Sequence, residues 1–254
     1  KSALPRVAAL GMSQLTLAAL TAIASLFAAG SISVFRFAAN LLYVPVGLFG
    51  VSWALAMFPK LSDAWLAGEG ESFRRQVAIG IRAILFWTLP LAALAVVLRA
   101  HIVRVVLGSG AFDWQDTRLV AAVLAVLAVA IVSYSLLPLL LRAFYALGRT
   151  AEPLGWDIAG SLATVAAALG ISSFLGARPQ ALAALAGVLR IADLAPPHIL
   201  AVAIAFSAGS LLNVFLLACS LSRVARRHLG AGISFEFNAF LTMAGAAVLG
   251  GAAA

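Results

Sequence analysis

Charge is scarce in this sequence: Asp, Glu, Lys and Arg make up 10% of its 254 residues, against 64% hydrophobic residues. Average soluble domains carry about 25% charged residues, so water is not this chain's main solvent. Cysteine is scarcer still. The single Cys219 excludes an intrachain disulfide, and without a CxxC pair or a Cys/His cluster it offers no metal site. It reads as a small packing residue. The three histidines, His101, His198 and His228, stand near the ends of apolar runs, and none lies four residues from another His or from the Cys. A phosphate-cradling GxxxxGK loop and a GxGxxG fingerprint are both lacking. Neither nucleotide-driven nor hydrolytic chemistry is expected within the chain, and no cofactor or metal is called for.

What the sequence has is long apolar runs. A bilayer core of ~30 Å is crossed by ~20 helical residues, and runs of that length recur throughout. They predict an all-α integral membrane protein, a polytopic helical bundle, treated as one transmembrane unit over residues 1–254. Six complete spans are expected at about 4–28, 33–58, 77–98, 119–141, 154–175 and 199–221, with a seventh starting near Phe240. The run 181–194 is too short to cross and reads as an interfacial segment or external loop. The chain opens at Lys1 without an initiator Met and stops inside its last apolar run, as expected of a piece of a longer protein.

The formal charge of +8 does not point to nucleic acid, because the basic residues cluster at span ends without interleaved aromatics. Such groups suit anionic lipid headgroups and membrane orientation. Lys1, Arg6, Lys60, Arg74, Arg75, Arg82, Arg142, Arg149, Arg223, Arg226 and Arg227 fall on one side, eleven of the seventeen Lys and Arg. Arg99, Arg104, Arg118, Arg178 and Arg190 fall on the other, and Arg36 lies just inside a span. The positive-inside rule then places the N-terminus in the cytoplasm. Between the second and third spans, residues 60–76 mix Leu61, Trp65 and Phe73 with charges, the pattern of a helix lying at the interface and broken at Gly68. Residues 108–117 read as a hairpin in which Asp113 caps the next helix and Asp116 meets its orphan N–H groups.

Polar groups inside apolar spans must be paired or face a cavity, which makes Ser13, Gln14, Arg36, Asn40, Asp157 and Asn213 the functional candidates. Arg36 and Asn40 are four residues apart, so they share one helix face about 6 Å apart along the axis and together can hold the oxygens of an anion. Arg36 can instead snorkel to headgroups. Gln14, Asn40 and Asn213 can serve as interhelical hydrogen-bonding groups, and Asp157 can cap a helix or face cytoplasmic water. Pro45, Pro90 and Pro138 lie inside spans, where each removes a backbone hydrogen bond and is a candidate hinge.

Several segments in order carry a resemblance. Val44-Pro-Val-Gly-Leu-Phe-Gly-Val51 followed by Phe58-Pro-Lys-Leu-Ser62, together with Ser13-Gln14, Ala29-Gly-Ser-Ile-Ser33, Gly110-Ala-Phe-Asp113 and Leu141-Arg-Ala-Phe-Tyr-Ala-Leu-Gly148, resemble motifs in the C-terminal half of the MurJ/MviN flippase family. The resemblance implies one lobe of a two-lobed exporter fold, preceded in the full protein by an N-terminal lobe, in the bacterial plasma membrane. It implies as cargo lipid II, the undecaprenyl-pyrophosphate-linked muropeptide, moved by alternating access and coupled to an ion gradient or membrane potential. Other exporters of that superfamily, for polysaccharide lipids or drugs, and a non-transporting scaffold for cell-wall synthesis remain as alternatives. One departure stands out. Where the family often has an aspartate followed by an arginine, this sequence has Ala39 and Asn40, and Arg36, one turn away on the same face, is the residue placed to supply that charge.

Overall fold

Hydrocarbon offers backbone groups no hydrogen-bond partner, so long apolar runs close their bonds within helices. The computed structural model describes residues 3–110, 112–194 and 198–229, with side chains from residue 11 to residue 227. Nine α-helices appear among them: α1 (Ala3–Ala24), α2 (Ser31–Pro45), α3 (Ser52–Leu66), α4 (Gly70–Val97), α5 (Arg99–Leu107), α6 (Trp114–Ala146), α7 (Ala151–Ala177), α8 (Pro179–Val188) and α9 (Ile199–Leu229). A π-helical segment, Val46–Val51, joins α2 to α3 without a break, so Ser31–Leu66 runs as one apolar helix of 36 residues. That helix, α4, α6, α7 and α9 are each long and apolar enough to cross a membrane. The first expected span falls on α1, which has 22 residues, and the one starting near Phe240 lies outside the described residues.

The long helices run alternately between two ends of the bundle. One, the hairpin end, carries the α1–α2 turn, the α5–α6 hairpin, α8 and the start of α9. The opposite end carries the α3–α4 and α6–α7 turns. Helix α6 is the central post. Its apolar stretch is 67% buried, against 28% for α7 and for the α2–α3 helix, and it packs on α9, α4, α2 and α3. Helix α7 covers α9 and is itself covered by α1. Phe35, Leu124 and Phe206 belong to one buried cluster and Leu61, Phe73, Phe144 and Leu221 to a second.

Close packing around α6 depends on small residues. Gly50, in the π-helical segment, lies against the backbone of Ser135; a Cβ there would stand 2.6 Å from the Ser135 Cα. On the other side of the bundle Gly209 faces Thr164, whose hydroxyl is turned back to the Gly160 carbonyl at 2.7 Å.

Residues 60–76 break at Gly68 as expected, but the two halves are the ends of long helices rather than a separate helix. Helix α3 continues through Pro59 to Leu66, Gly68 reverses the chain at φ 72°, and α4 starts two residues later. The apolar residues there are used between helices: Leu61 and Phe73 are fully buried, and the Trp65 and Phe73 rings stand 6.2 Å apart. The hairpin matches its reading. The Asp113 carboxylate accepts from the Asp116 N–H at 2.8 Å, and the Asp116 carboxylate accepts from the Asp113 N–H at 3.2 Å, a reciprocal capping box. Helix α5 before it was not expected. The run 181–194 forms most of α8 and a turn, with Leu182 and Ala186 buried, and Arg118 of α6 ties that turn down, its guanidinium donating to the Asp193 carboxylate at 2.6 Å and to the Arg190 carbonyl. Beside that guanidinium, the Asp193 carboxyl is held below the usual carboxylate range.

Candidate functional site

At about 100° per residue, Ser33, Arg36, Asn40, Tyr43 and Gly47 fall within ~80° of one another on α2 and its π-helical continuation. All five are exposed. The opposite face, Phe35, Ala38, Ala39, Leu42 and Val46, is buried in the bundle, and that burial fixes the helix's rotation. Arg36 and Asn40 therefore do share an open face, and Arg36 is within electrostatic reach of Tyr43. Ala39 is 2% exposed, so the position at which the family often has an aspartate points into the bundle here.

Aromatic contacts hold this stripe in place. The Tyr43 ring meets Tyr134 of α6 edge-on at 5.9 Å, Tyr134 stacks on Phe206 of α9 at 4.9 Å, and Phe206 meets Phe35 of α2 at 5.8 Å. The chain of rings returns to the helix where it began. Tyr43 and Tyr134 were missed by sequence reasoning. Tyr43 carried a signal, because it lies seven residues from Arg36 and so on the same face; Tyr134 carried none.

The other candidates are placed differently. Gln14 is exposed on α1, on the face that also carries Gly11, Ala18 and Ala22, all exposed. Ser13 is exposed too, about 100° around the helix from Gln14. Asn213 is 8% exposed in the seam between α7 and α9, packed against Gly160, and its amide donates to the Asp157 carboxylate at 2.9 Å. The interhelical reading therefore applies to Asn213, and Asp157 is its partner rather than a helix cap. Pro45 sits at the junction with the π-helical segment, whereas α4 and α6 continue as helices through Pro90 and Pro138. Among the described residues no cluster of three His, Cys, Asp or Glu is placed to hold a metal.

Five long apolar helices, one of them the buried central post, with a polar stripe left open on another, define a polytopic all-α membrane protein. The family model described as lipid II flippase MurJ matches residues 1–254, so the chain belongs to that family. A probable lipid II flippase MurJ from Rhizobium tropici is 29% identical over 193 residues, 76% of this chain and 36% of the relative. One from Bdellovibrio bacteriovorus is 30% identical over 151 residues, 59% of this chain and 29% of the relative. A solved structure of lipid II flippase MurJ in an inward closed conformation has the same fold, with a TM-score of 0.74 at 20% identity over 95% of this chain and 44% of that chain. The chain thus spans less than half the length of the proteins it matches.

Proposed function

We propose that the full protein moves the lipid-linked peptidoglycan precursor lipid II from the inner to the outer leaflet of the bacterial plasma membrane, and that this chain forms one wall of the polar path. The observation that carries the proposal is the open stripe on α2. Arg36, Asn40 and Tyr43 are exposed on a helix whose other face is sealed in the bundle. Near the end of its helix, Arg36 can reach lipid headgroups, whereas facing a pyrophosphate it makes strong charge-assisted hydrogen bonds. Family membership and the relatives' named cargo favour the second situation. In this reading α2 faces the preceding lobe across the path, the start of the chain is cytoplasmic, and the two lobes rock around the site under an ion gradient or membrane potential.

The drug-exporter alternative draws less support, because Asp157, the carboxylate it would present to a cavity, is hydrogen-bonded to Asn213. The test is complementation of a flippase-depleted strain by the full-length protein. Arg36→Ala is expected to abolish growth and Arg36→Lys to retain part of it, both at normal membrane abundance. Full complementation by Arg36→Ala would return Arg36 to a headgroup anchor and remove it from the path.

A further inference from the structure

Helix α5 follows the last turn of α4 at the hairpin end, and its two sides differ. At about 100° per residue, Leu98, Val105 and Val106 fall in one arc, with His101 and Arg104 on one flank and Arg99 on the other. The opposite side carries Val103, fully buried, with Ala100 and Leu107 packed on the same core. That burial fixes the rotation of α5 and leaves the first arc outward. Val105 is 86% exposed, and Leu98, Val106 and the nearby Trp114 at the start of α6 are exposed as well. Apolar side chains so placed gain free energy only if something other than water covers them.

Depth and charge say what the cover is. From Val77 to Leu98 the chain rises ~33 Å at 1.5 Å per residue, about the thickness of a bilayer core, so α5 begins where hydrocarbon gives way to headgroups. Exposed Trp side chains such as Trp114 are enriched at that level. The two arginines are not balanced within the bundle. Arg99 donates to the Val96 carbonyl at 3.0 Å and Arg104 to the Phe112 carbonyl at 3.4 Å, and neither meets a carboxylate among the described residues. The carboxylates described at this end are engaged elsewhere, Asp113 and Asp116 in the capping box and Asp193 with Arg118. A guanidinium has five N–H donors, so each arginine keeps several for a phosphate. The apolar arc is only three side chains, far short of the ~20–30 residues a side that a stable protein interface takes. A short apolar strip flanked by cations at the edge of the hydrocarbon fits a lipid surface.

We propose that α5 is a docking surface for anionic phospholipid in the leaflet at the hairpin end, with Leu98, Val105 and Val106 among the acyl chains and Arg99 and Arg104 on the headgroup phosphates. The lipid is held as a neighbour of the bundle rather than as cargo. The proposal therefore does not depend on what the protein moves or on which leaflet the hairpin end meets.

The test uses full-length protein with a fluorescent amino acid built in at position 105, reconstituted in vesicles of phosphatidylcholine and phosphatidylglycerol. Emission is expected at the wavelengths of an apolar environment, little quenched by aqueous iodide. Nitroxide-labelled phosphatidylglycerol should quench it in preference to equally labelled phosphatidylcholine, by about fivefold in relative affinity for each arginine at low salt, and the preference should fall towards parity at high salt. Arg99→Gln with Arg104→Gln should abolish the preference, and Arg99→Lys with Arg104→Lys should keep it. Water-like emission quenched by iodide would show that α5 stands clear of the membrane, and a probe shielded from every quencher would show that protein covers it. Equal quenching by the two lipids, or a preference unchanged in the Gln variant, would show that the arginines recognise no headgroup. Each of these results overturns the proposal. Should the Gln variant melt early, the salt titration of the parent protein decides in its place. Because no transport is measured, this result and the complementation result stand or fall separately.

Discussion

Asn213 and Asp157 show what a polar residue does inside an apolar span when it cannot reach water. The Asn213 amide donates to Asp157 across the α7–α9 seam at 2.9 Å, while its own carbonyl oxygen is buried without a partner among the described residues. Replacing Asn213 by Ala removes the one side-chain donor Asp157 has among the described residues. Interhelical hydrogen bonds of this kind contribute ~0.6 kcal/mol on average and up to about 2 kcal/mol. Asn213→Ala is therefore expected to lower the thermal midpoint of detergent-solubilised protein, and Asp157→Asn to lower it less. In a double-mutant cycle the two losses should fall short of additivity by about 1 kcal/mol; strict additivity would mean that the contact contributes nothing. Much of this chemistry was legible in the sequence, because a lone Asn in an apolar run has few options. The identity of its partner was not, since residues 157 and 213 are brought together only by how α7 and α9 pack. Arg36 and Asn40 were legible as a pair because i and i+4 share a face whatever the tertiary structure. Which way that face points had to come from the burial of Phe35, Ala38 and Leu42.

Among the elements, the α2–α3 helix depends most on a local irregularity. Pro45 has no N–H to donate, and the six residues after it, Val46–Val51, take up a π-helical winding. Two glycines within that segment separate packing from winding. Gly50 lies against the Ser135 backbone, whereas a Cβ at Gly47 would have nothing within 4 Å. Gly50→Ala is expected to destabilise the protein by about 1–3 kcal/mol through overpacking, and Gly47→Ala to be neutral or stabilising, as a helix-interior Gly→Ala change usually is. A Gly50→Ala protein that melts like the parent would show that this contact is not tight. The capping box gives a second test at this scale. Asp113→Ala leaves α6 without its N-cap and should cost about 1 kcal/mol, readable as a lowered midpoint. The length of the spans was visible because apolar runs must become helices. The joining of the second span to residues 60–66 was not, because the charges around Pro59 resemble a span end, whereas the helix continues with Leu61 and Ala64 buried in the bundle.

For the whole molecule, topology and function are joined through the open face of α2. Turn cysteines in a Cys219→Ala background test the first. Positive-φ glycines such as Gly30, Gly68 and Gly110 would be strained by any side chain, so the exposed neighbours Ala29, Ser109, Ala67 and Ala151 are better sites. With the basic side inward, Ala29→Cys and Ser109→Cys should react with an impermeant thiol reagent in intact cells, and Ala67→Cys and Ala151→Cys should be shielded. Labelling of Ala67→Cys from outside would invert the orientation. The open face leads to the last expectation, that residues 1–254 alone will insert but will not flip lipid. A large polar headgroup crosses only where both sides of its path are shielded from hydrocarbon, and alternating access needs two bundles that rock around the site. This chain offers one bundle, matches 44% of the solved MurJ chain, and leaves Arg36, Asn40 and Tyr43 uncovered. The facing wall would come from the rest of the protein, so co-expression with that part should restore exchange wherever the two associate. Vesicles containing residues 1–254 alone, assayed for leaflet exchange of a fluorescent lipid II analogue, should match vesicles holding an inactive membrane protein. Headgroup-selective exchange above that control, lost in Arg36→Ala, would show that one bundle suffices and that the stripe needs no partner to carry cargo.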